Sequence, residues 1–197
     1  MFIDESVFKR LINRSYKKFT LYVAQTEAED LIILANGFKM QVQRTKISKK
    51  ALGAIVEIIG ELPEKGKAYR YEKDVPREET DMDLSSMWEK VYSTDVQAYE
   101  SNIIMKSPIG DMRIMQCGQK KEIVYDEALS MINTKKCTDS EAEPKEPVAD
   151  CDYVYWHNEE MVVGIKIKSV KYIGEKNFME AIDRLVATWS TTTDDLL

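Results

Sequence analysis

The segment from Phe19 to Val42 limits the folds open to this chain more than any other. Phe19, Leu21 and Val23 alternate with Thr20, Tyr22 and Ala24; TEAED turns the chain; LIILA returns; and Asn36-Gly37 leads into a third alternating run with Phe38, Met40 and Val42. An apolar period of two places every second side chain on the same face of a strand, and Asn-Gly supplies the positive φ that a two-residue hairpin turn needs. The reading is a three-stranded antiparallel meander. Such a sheet must bury one face, and the flanking sequence offers helices for that.

Asp4 followed by Val7, Phe8, Leu11 and Ile12 reads as a capped amphipathic helix over roughly 5 to 17. Ser48 caps a second helix, Lys49 to Ile59, with Leu52, Ile55, Val56 and Ile59 as its apolar stripe and Gly60 ending it, before LPEKGK turns into a strand AYRYE. Residues 1–72 therefore form a helix/β-meander/helix/strand unit. Residues 73–83, KDVPREETDMD, hold seven charges, a proline and little to bury, and read as a linker. Leu84, Met87, Trp88 and Val91 form a short helix within the connecting region 73–100.

The remainder, 101–197, reads as a second β/α unit. NIIMK, DMRIMQ and KKEIVYD followed by EALSMIN repeat the order strand, strand, strand, helix already met in residues 19–59. An internal duplication produces such a repeat, and so does the unrelated recurrence of similar elements. Residues 134–150, polar with two prolines, form a flexible loop whose ordering entropy nothing offsets. Residues 153–167 make a hairpin with His157 at its tip, a last helix runs from about 177 to 188, and the tail STTTDDLL frays. The expected fold class is α+β, built from two antiparallel β-meander-plus-helix units.

Net charge is −6 over 197 residues, but residues 1–72 carry thirteen Lys/Arg against nine Asp/Glu, while the rest carry fifteen against twenty-five. An acidic total disfavours indiscriminate nucleic-acid binding, yet a local basic face still acts within a Debye length of about 8 Å. Cys117, Cys137 and Cys151 cannot all pair within one chain and form no CxxC unit, which points to a reducing compartment. The charged N-terminus has no signal-peptide core and ALGAIVEIIG is broken by Glu57, so the expectation is a cytoplasmic protein with no membrane partner.

The densest chemistry lies in CTDSEAEPKEPVADCDYVYWHNEE. Cys137, Cys151 and His157 lack the paired short spacing of a zinc site, and on an extended strand Cys151 and His157 stand roughly 20 Å apart, too far for a nucleophile and its base. The doublets Asp81/Asp83 and Asp150/Asp152 would suit Mg²⁺, as in a metal-dependent nuclease, but each sits at a segment boundary where Asp caps or turns, and GIKIK lacks the Glu-x-Lys of a restriction-type nuclease. No Gly-rich phosphate loop occurs. These readings assign no catalytic, cofactor-binding or metal-binding residue and no cofactor.

A basic face remains. Arg10, Arg14 and Lys17 fall at i, i+4 and i+7 on the first helix, and residues 39–50 add Lys39, Arg44, Lys46, Lys49 and Lys50 without one acid. These are the candidate nucleic-acid contacts, against a solvated surface whose long stems cover apolar atoms. Trp88, Tyr155 and Trp156, near turns, are candidate partner-interface anchors or core residues.

The order MFI, DESVFKRLINR, the meander, KISKKALGAIVEIIG and LPEKGKAYRYEKD in residues 1–72 resembles one module of bacterial DNA sliding clamps. In that family helices line a ring and present basic side chains to DNA, while the outer face holds a pocket for partner peptides. The resemblance implies Arg10, Arg14 and Lys17 as the DNA-facing residues and topological tethering as the task. The residues themselves favour a non-catalytic macromolecule-binding protein acting through a protein partner, an accessory, adaptor or inhibitory factor of bacterial or phage type. A DNA-associated clamp-like protein is the alternative, and a nuclease-type enzyme the third.

Overall fold

In a computed structural model of the chain, residues 1–106, 110–137 and 143–168 are described. The helix expected from about 177 to 188 and the terminal tail lie outside them. The elements in chain order are α1 (Glu5–Lys18), β1 (Leu21–Gln25), β2 (Leu31–Ala35), β3 (Phe38–Val42), α2 (Lys49–Ile59), β4 (Lys67–Glu72), β5 (Val75–Glu79), α3 (Met87–Tyr92), β6 (Ala98–Met105), β7 (Met112–Cys117), β8 (Lys120–Tyr125), α4 (Asp126–Leu129), β9 (Val148–Ala149), β10 (Tyr153–His157) and β11 (Met161–Lys168). The fold is mixed helix and antiparallel sheet, with a meander followed by a helix in each half.

The sheet runs β5-β4-β1-β2-β3-β11-β8-β7-β6, with β10 paired to β11 and β9 to β10. The hairpin β10–β11 therefore does not close a separate unit. β11 pairs β3 from Met161↔Val42 to Ile165↔Phe38, which sets it beside the N-terminal meander. The N-terminus is tied across as well: the Asp4 amide donates to Met131 O at 2.7 Å and the Asn133 amide to Phe2 O at 2.7 Å. One hydrophobic core accordingly draws Phe8, Leu11, Phe38 and Met40 from the first half and Met115, Leu129, Trp156 and Ile165 from the second. Burial of this kind stabilises by about 25 cal/mol per Å² of apolar surface, and no boundary at 72 or 100 divides it.

Asp4 starts α1 as its sequence demands, its Oδ1 accepting from the amides of Ser6 (2.9 Å) and Val7 (3.1 Å). Buried Ser15 bonds twice: its hydroxyl donates to Leu11 O and accepts from the Asn36 amide at 2.9 Å, fixing the helix to the β2–β3 turn. In that turn Gly37 adopts φ +97°, open to glycine without strain. The stripe expected on α2 is rotated. Ala51, Ala54 and Ile55 are its buried residues, whereas Val56 is 37% exposed. The cause is α1, which lies against α2, with Lys9 on Glu57 at 2.6 Å and Lys50 on Glu5 at 3.6 Å; the small alanines permit the approach.

Residues 73–83 are not a linker. Asp74 at φ 61° turns the chain and β5 pairs with β4, a pairing that needs backbone partners only and survives a fully exposed charged strand. The chain then crosses the sheet face opposite α1 and α2. Met82 and Leu84 pack on Ala24, Ile32 and Ala68, and Met87 and Val91 of α3 cover Tyr155 and Val162. With both faces covered, β1 and β2 are buried at positions where alternation would expose them. The loop 134–150 is also partly ordered: Thr134–Lys136 form a 3₁₀ turn and β9 pairs with β10.

Candidate functional site

The expected site residues fall in three places. On the helical side, Arg10 Nε meets Glu127 Oε1 at 2.9 Å and Arg14 Nη1 meets Glu127 Oε2. One carboxylate from α4 thus bridges two guanidiniums a helical turn apart. Burial pushes the Glu127 carboxyl up, but the hydrogen bonds and charges of Arg14 and Arg10 together hold it below its ordinary value. The arrangement lines a cleft of about 710 Å³ that also takes in Lys18, Phe19, Asn36, Asp111 and Tyr125. Further along, Arg44 pairs with Glu29 at 3.8 Å, Lys46 with Glu160 at 2.7 Å and Lys50 with Glu5. Lys17 and Lys49 are exposed and make no ion pair among the described residues. Most of the basic face is therefore already answered by acids, and no local pattern signals it: Glu127 lies 113 residues from Arg14.

Lys39 sits apart from these cations. Its neighbours Phe38 and Met40 enter the main core, so its side chain leaves by the opposite sheet face. There its Nζ stands 4.0 Å from the centroid of Tyr153 and 5.0 Å from that of Tyr155. It lines a cleft of about 220 Å³ with Ile32, Leu34, Met82, Asp83, Met87 and Lys90. Burial first, then the charge of Lys90, push its ammonium below the ordinary lysine range against Asp150, Asp152 and Asp83, which pull the other way.

Asp83 of one aspartate doublet and Asp150 and Asp152 of the other thus act on one ammonium. Asp150 is fully engaged: Oδ1 accepts from the amides of Asp152 and Tyr153 at 2.7 Å each, and Oδ2 accepts from the Tyr155 hydroxyl at 2.7 Å. Asp83 accepts from the Ser85 amide at 2.9 Å. Among the described residues no group of three or more His, Cys, Asp or Glu side chains is gathered as a metal site. Cys117 is buried, Cys137 half-buried and Cys151 exposed, and none of the three forms a disulfide. No helix among the described residues is long and apolar enough to cross a membrane.

No family model matches the chain, and no curated protein matches it. Among solved structures it is similar to the DNA polymerase III beta chain of Streptococcus pneumoniae TIGR4, at 8% identity and TM-score 0.36, over 85% of this chain and 64% of that one. It is also similar to the beta subunit of DNA polymerase from Streptococcus pyogenes, at 8% identity and TM-score 0.35, over 88% of this chain and 67% of that one. The chain spans less than two thirds of the length of the first. The resemblance drawn from residues 1–72 is met by these two structures, and it is weak.

The expected interface anchors prove to be packing residues. Tyr155 and Trp156 are buried, and half-buried Trp88 donates its indole N–H to Asn158 O at 2.8 Å. Tyr155 also explains Gly164, where an added Cβ would lie 2.9 Å from the Tyr155 ring.

His157, expected at the hairpin tip, ends β10 with only 6% of its surface exposed, 5.7 Å from the ring of Tyr92. Burial, and next the charge of Lys145, lower its pKa below 6.5. An unfolded imidazole takes up a proton near 6.5 while the folded one resists to lower pH. Stability is accordingly lost as pH falls through that window and levels off below the folded value. Urea melts at successive pH values should show an acid-side loss of stability through that window in the native chain that is absent in His157→Phe. An identical pH profile in both would refute the assignment.

Proposed function

We propose that this chain is a non-catalytic macromolecule-binding protein of the cytoplasm that acts through a protein partner. The supporting observation is the contrast between the two ends of its sheet. The β5 edge is blunted by Pro76, Arg77, Glu78 and Glu79, devices that discourage a further strand. The β6 edge is not so protected. At its start the Ala98 amide donates to Pro147 O and the Ala149 amide to Val96 O, both at 2.8 Å, which covers that end. Beyond Ala98 no strand pairs its outer side among the described residues, and Tyr99 (53% exposed) and Ile104 (41%) stand in solvent. A bulge between Glu100 and Ile104, where Ser101 donates to Ile114 O at 2.8 Å, bends the strand locally.

An open edge offers backbone hydrogen bonds for affinity and flanking side chains for specificity to an extended segment of a partner. Aromatic and apolar residues there are typical anchors. Three cysteines outside any disulfide fit a reducing compartment. The paired state of Arg10, Arg14, Arg44, Lys46 and Lys50 weighs against phosphate contact as the main task.

The test is capture from native lysate with the intact chain and with Tyr99→Lys/Ile104→Lys. The intact chain should retain a stoichiometric protein partner, and the variant should lose it at least about tenfold with an unchanged melting temperature, the cost of placing charge at an apolar anchor. Equal capture by both chains, or none by a well-folded bait, would remove the reading.

A further inference from the structure

We propose that His157 is a pH-sensitive latch beside the β6 edge: protonation of its buried ring releases residues 145–147 from β10 and from Ala98. The value of that release for binding rests on the β6-edge reading, but the opening itself needs no partner.

Residues 145–149 lie as a strap between two strand edges. On one side Val148 and Ala149 pair with Tyr155 and Val154 of β10, and the Lys145 amide donates to His157 O at 2.8 Å. On the other, Val148 bridges Gln97, the Ala98 amide donates to Pro147 O and the Ala149 amide to Val96 O. The two ends of the strap are held unequally. Ala149 is buried in the main core and Val148 packs on the cluster of Met87, Tyr155 and Val162, whereas Lys145 and Glu146 are exposed. Pro147 has no N–H to return to the Ala98 carbonyl, so the ladder lacks a bond at that point.

The ring of His157 is buried, and among the described residues its Nδ1 has no hydrogen-bond partner. A charge placed there meets neither water nor an acceptor. From α3 the Tyr92 ring meets the imidazole, and the Lys145 ammonium of the strap stands 5.8 Å from the centroid of that same Tyr92 ring. Glu146, the acid of the strap, is engaged by Gln97 Nε2 at 3.2 Å. On β11 the opposite residue is Val162, and on β10 itself Tyr155 gives its hydroxyl to Asp150. The charged group that acts on the imidazole is thus the Lys145 cation, which repels an imidazolium.

Of the elements around the ring, the strap yields first. β10 is paired to β11 from Tyr153↔Lys166 to His157↔Val162, and α3 is anchored by the Trp88 indole on Asn158 O and the Met87 amide on Gln41 Oε1 at 2.7 Å. Residues 145–147 are tied by the Lys145 and Ala98 amide bonds and swing on the anchored Val148 and Ala149. Their departure hydrates the ring, carries Lys145 away and frees the Ala98 N–H, which adds a donor to the outer side of β6. The open form binds the extra proton, so opening is favoured as pH falls.

Amide hydrogen exchange of the full chain, followed by NMR at about pH 7 and about pH 5, measures the opening as protection factors. Those of the Ala98 and Lys145 amides should fall at least about tenfold relative to that of the Lys166 amide, which bonds to Gly37 O and reports global opening. His157→Phe should abolish the fall, and Lys145→Gln should reduce it at Ala98. Unchanged protection at Ala98 and Lys145 in the intact chain overturns the proposal, whatever the variants do. So does a fall confined to the Ser93 amide at the end of α3, or an equal fall in folded His157→Phe. Because no partner is present, that failure leaves the β6-edge reading standing, and failure of lysate capture leaves the exchange result standing.

Discussion

Asp150→Ala should destabilise the protein by about 2–4 kcal/mol, because a carboxylate serving three donors is removed and the buried Tyr155 hydroxyl loses its acceptor. The Tyr155 ring is 0% exposed and packs with Met87, Val91 and Val162, so no water replaces the lost oxygen without opening that cluster. Tyr155→Phe should cost only about 1 kcal/mol, since it removes the donor and leaves a half-buried carboxylate that keeps its two amides. Urea denaturation of both single variants and the double variant checks this; equal losses, or additivity in the cycle, would show that the hydroxyl–carboxylate bond is not the coupling element. The same network gives an acid dependence. Burial raises the Asp150 carboxyl, but its hydrogen bonds and Lys39 together hold it below 3.8, so its contribution is present above that value and lost as pH falls through the lower folded one.

The second large effect concerns the basic cleft. Glu127→Gln should increase binding to duplex DNA by about tenfold at low salt and steepen its salt dependence by close to two phosphate equivalents, since it releases Arg10 and Arg14 together. The intact chain, with those guanidiniums occupied, should bind DNA weakly. Filter binding or fluorescence anisotropy across a salt series measures both. If Glu127→Gln leaves the slope unchanged, the α1 face is a solvated helix surface and the DNA reading ends there. Tight, steeply salt-dependent binding by the intact chain would instead make DNA the principal partner and displace the β6 reading.

Residues whose signals were local proved the easiest to read. The capped helix from Asp4, the meander with its Asn36-Gly37 turn, the Ser48 cap and the short helix around Met87 all appear where their spacing puts them. The acidic residues that answer the basic face, and the crossing segment that covers the second sheet face, gave no such sign. A side chain's partner across the fold leaves no periodicity in its own neighbourhood. Residues 73–83 are the converse case: their charge and proline suggest a linker, yet strand pairing is made by backbone groups and an edge strand tolerates both. The place of His157 near a turn suggests an exposed side chain, whereas it is buried and its ring meets Tyr92 of α3.

By itself, then, the sequence determined the elements of each half, the caps and turns that bound them, and the α+β class, because hydrogen bonds and apolar periods within ten or so residues decide these. Only the tertiary structure decided that β11 joins β3, that Glu127 takes up Arg10 and Arg14, and that Lys39 meets Tyr153 across the sheet. Those pairings join distant segments, and what selects them is the burial of one shared core, a property that no single stretch of the chain carries.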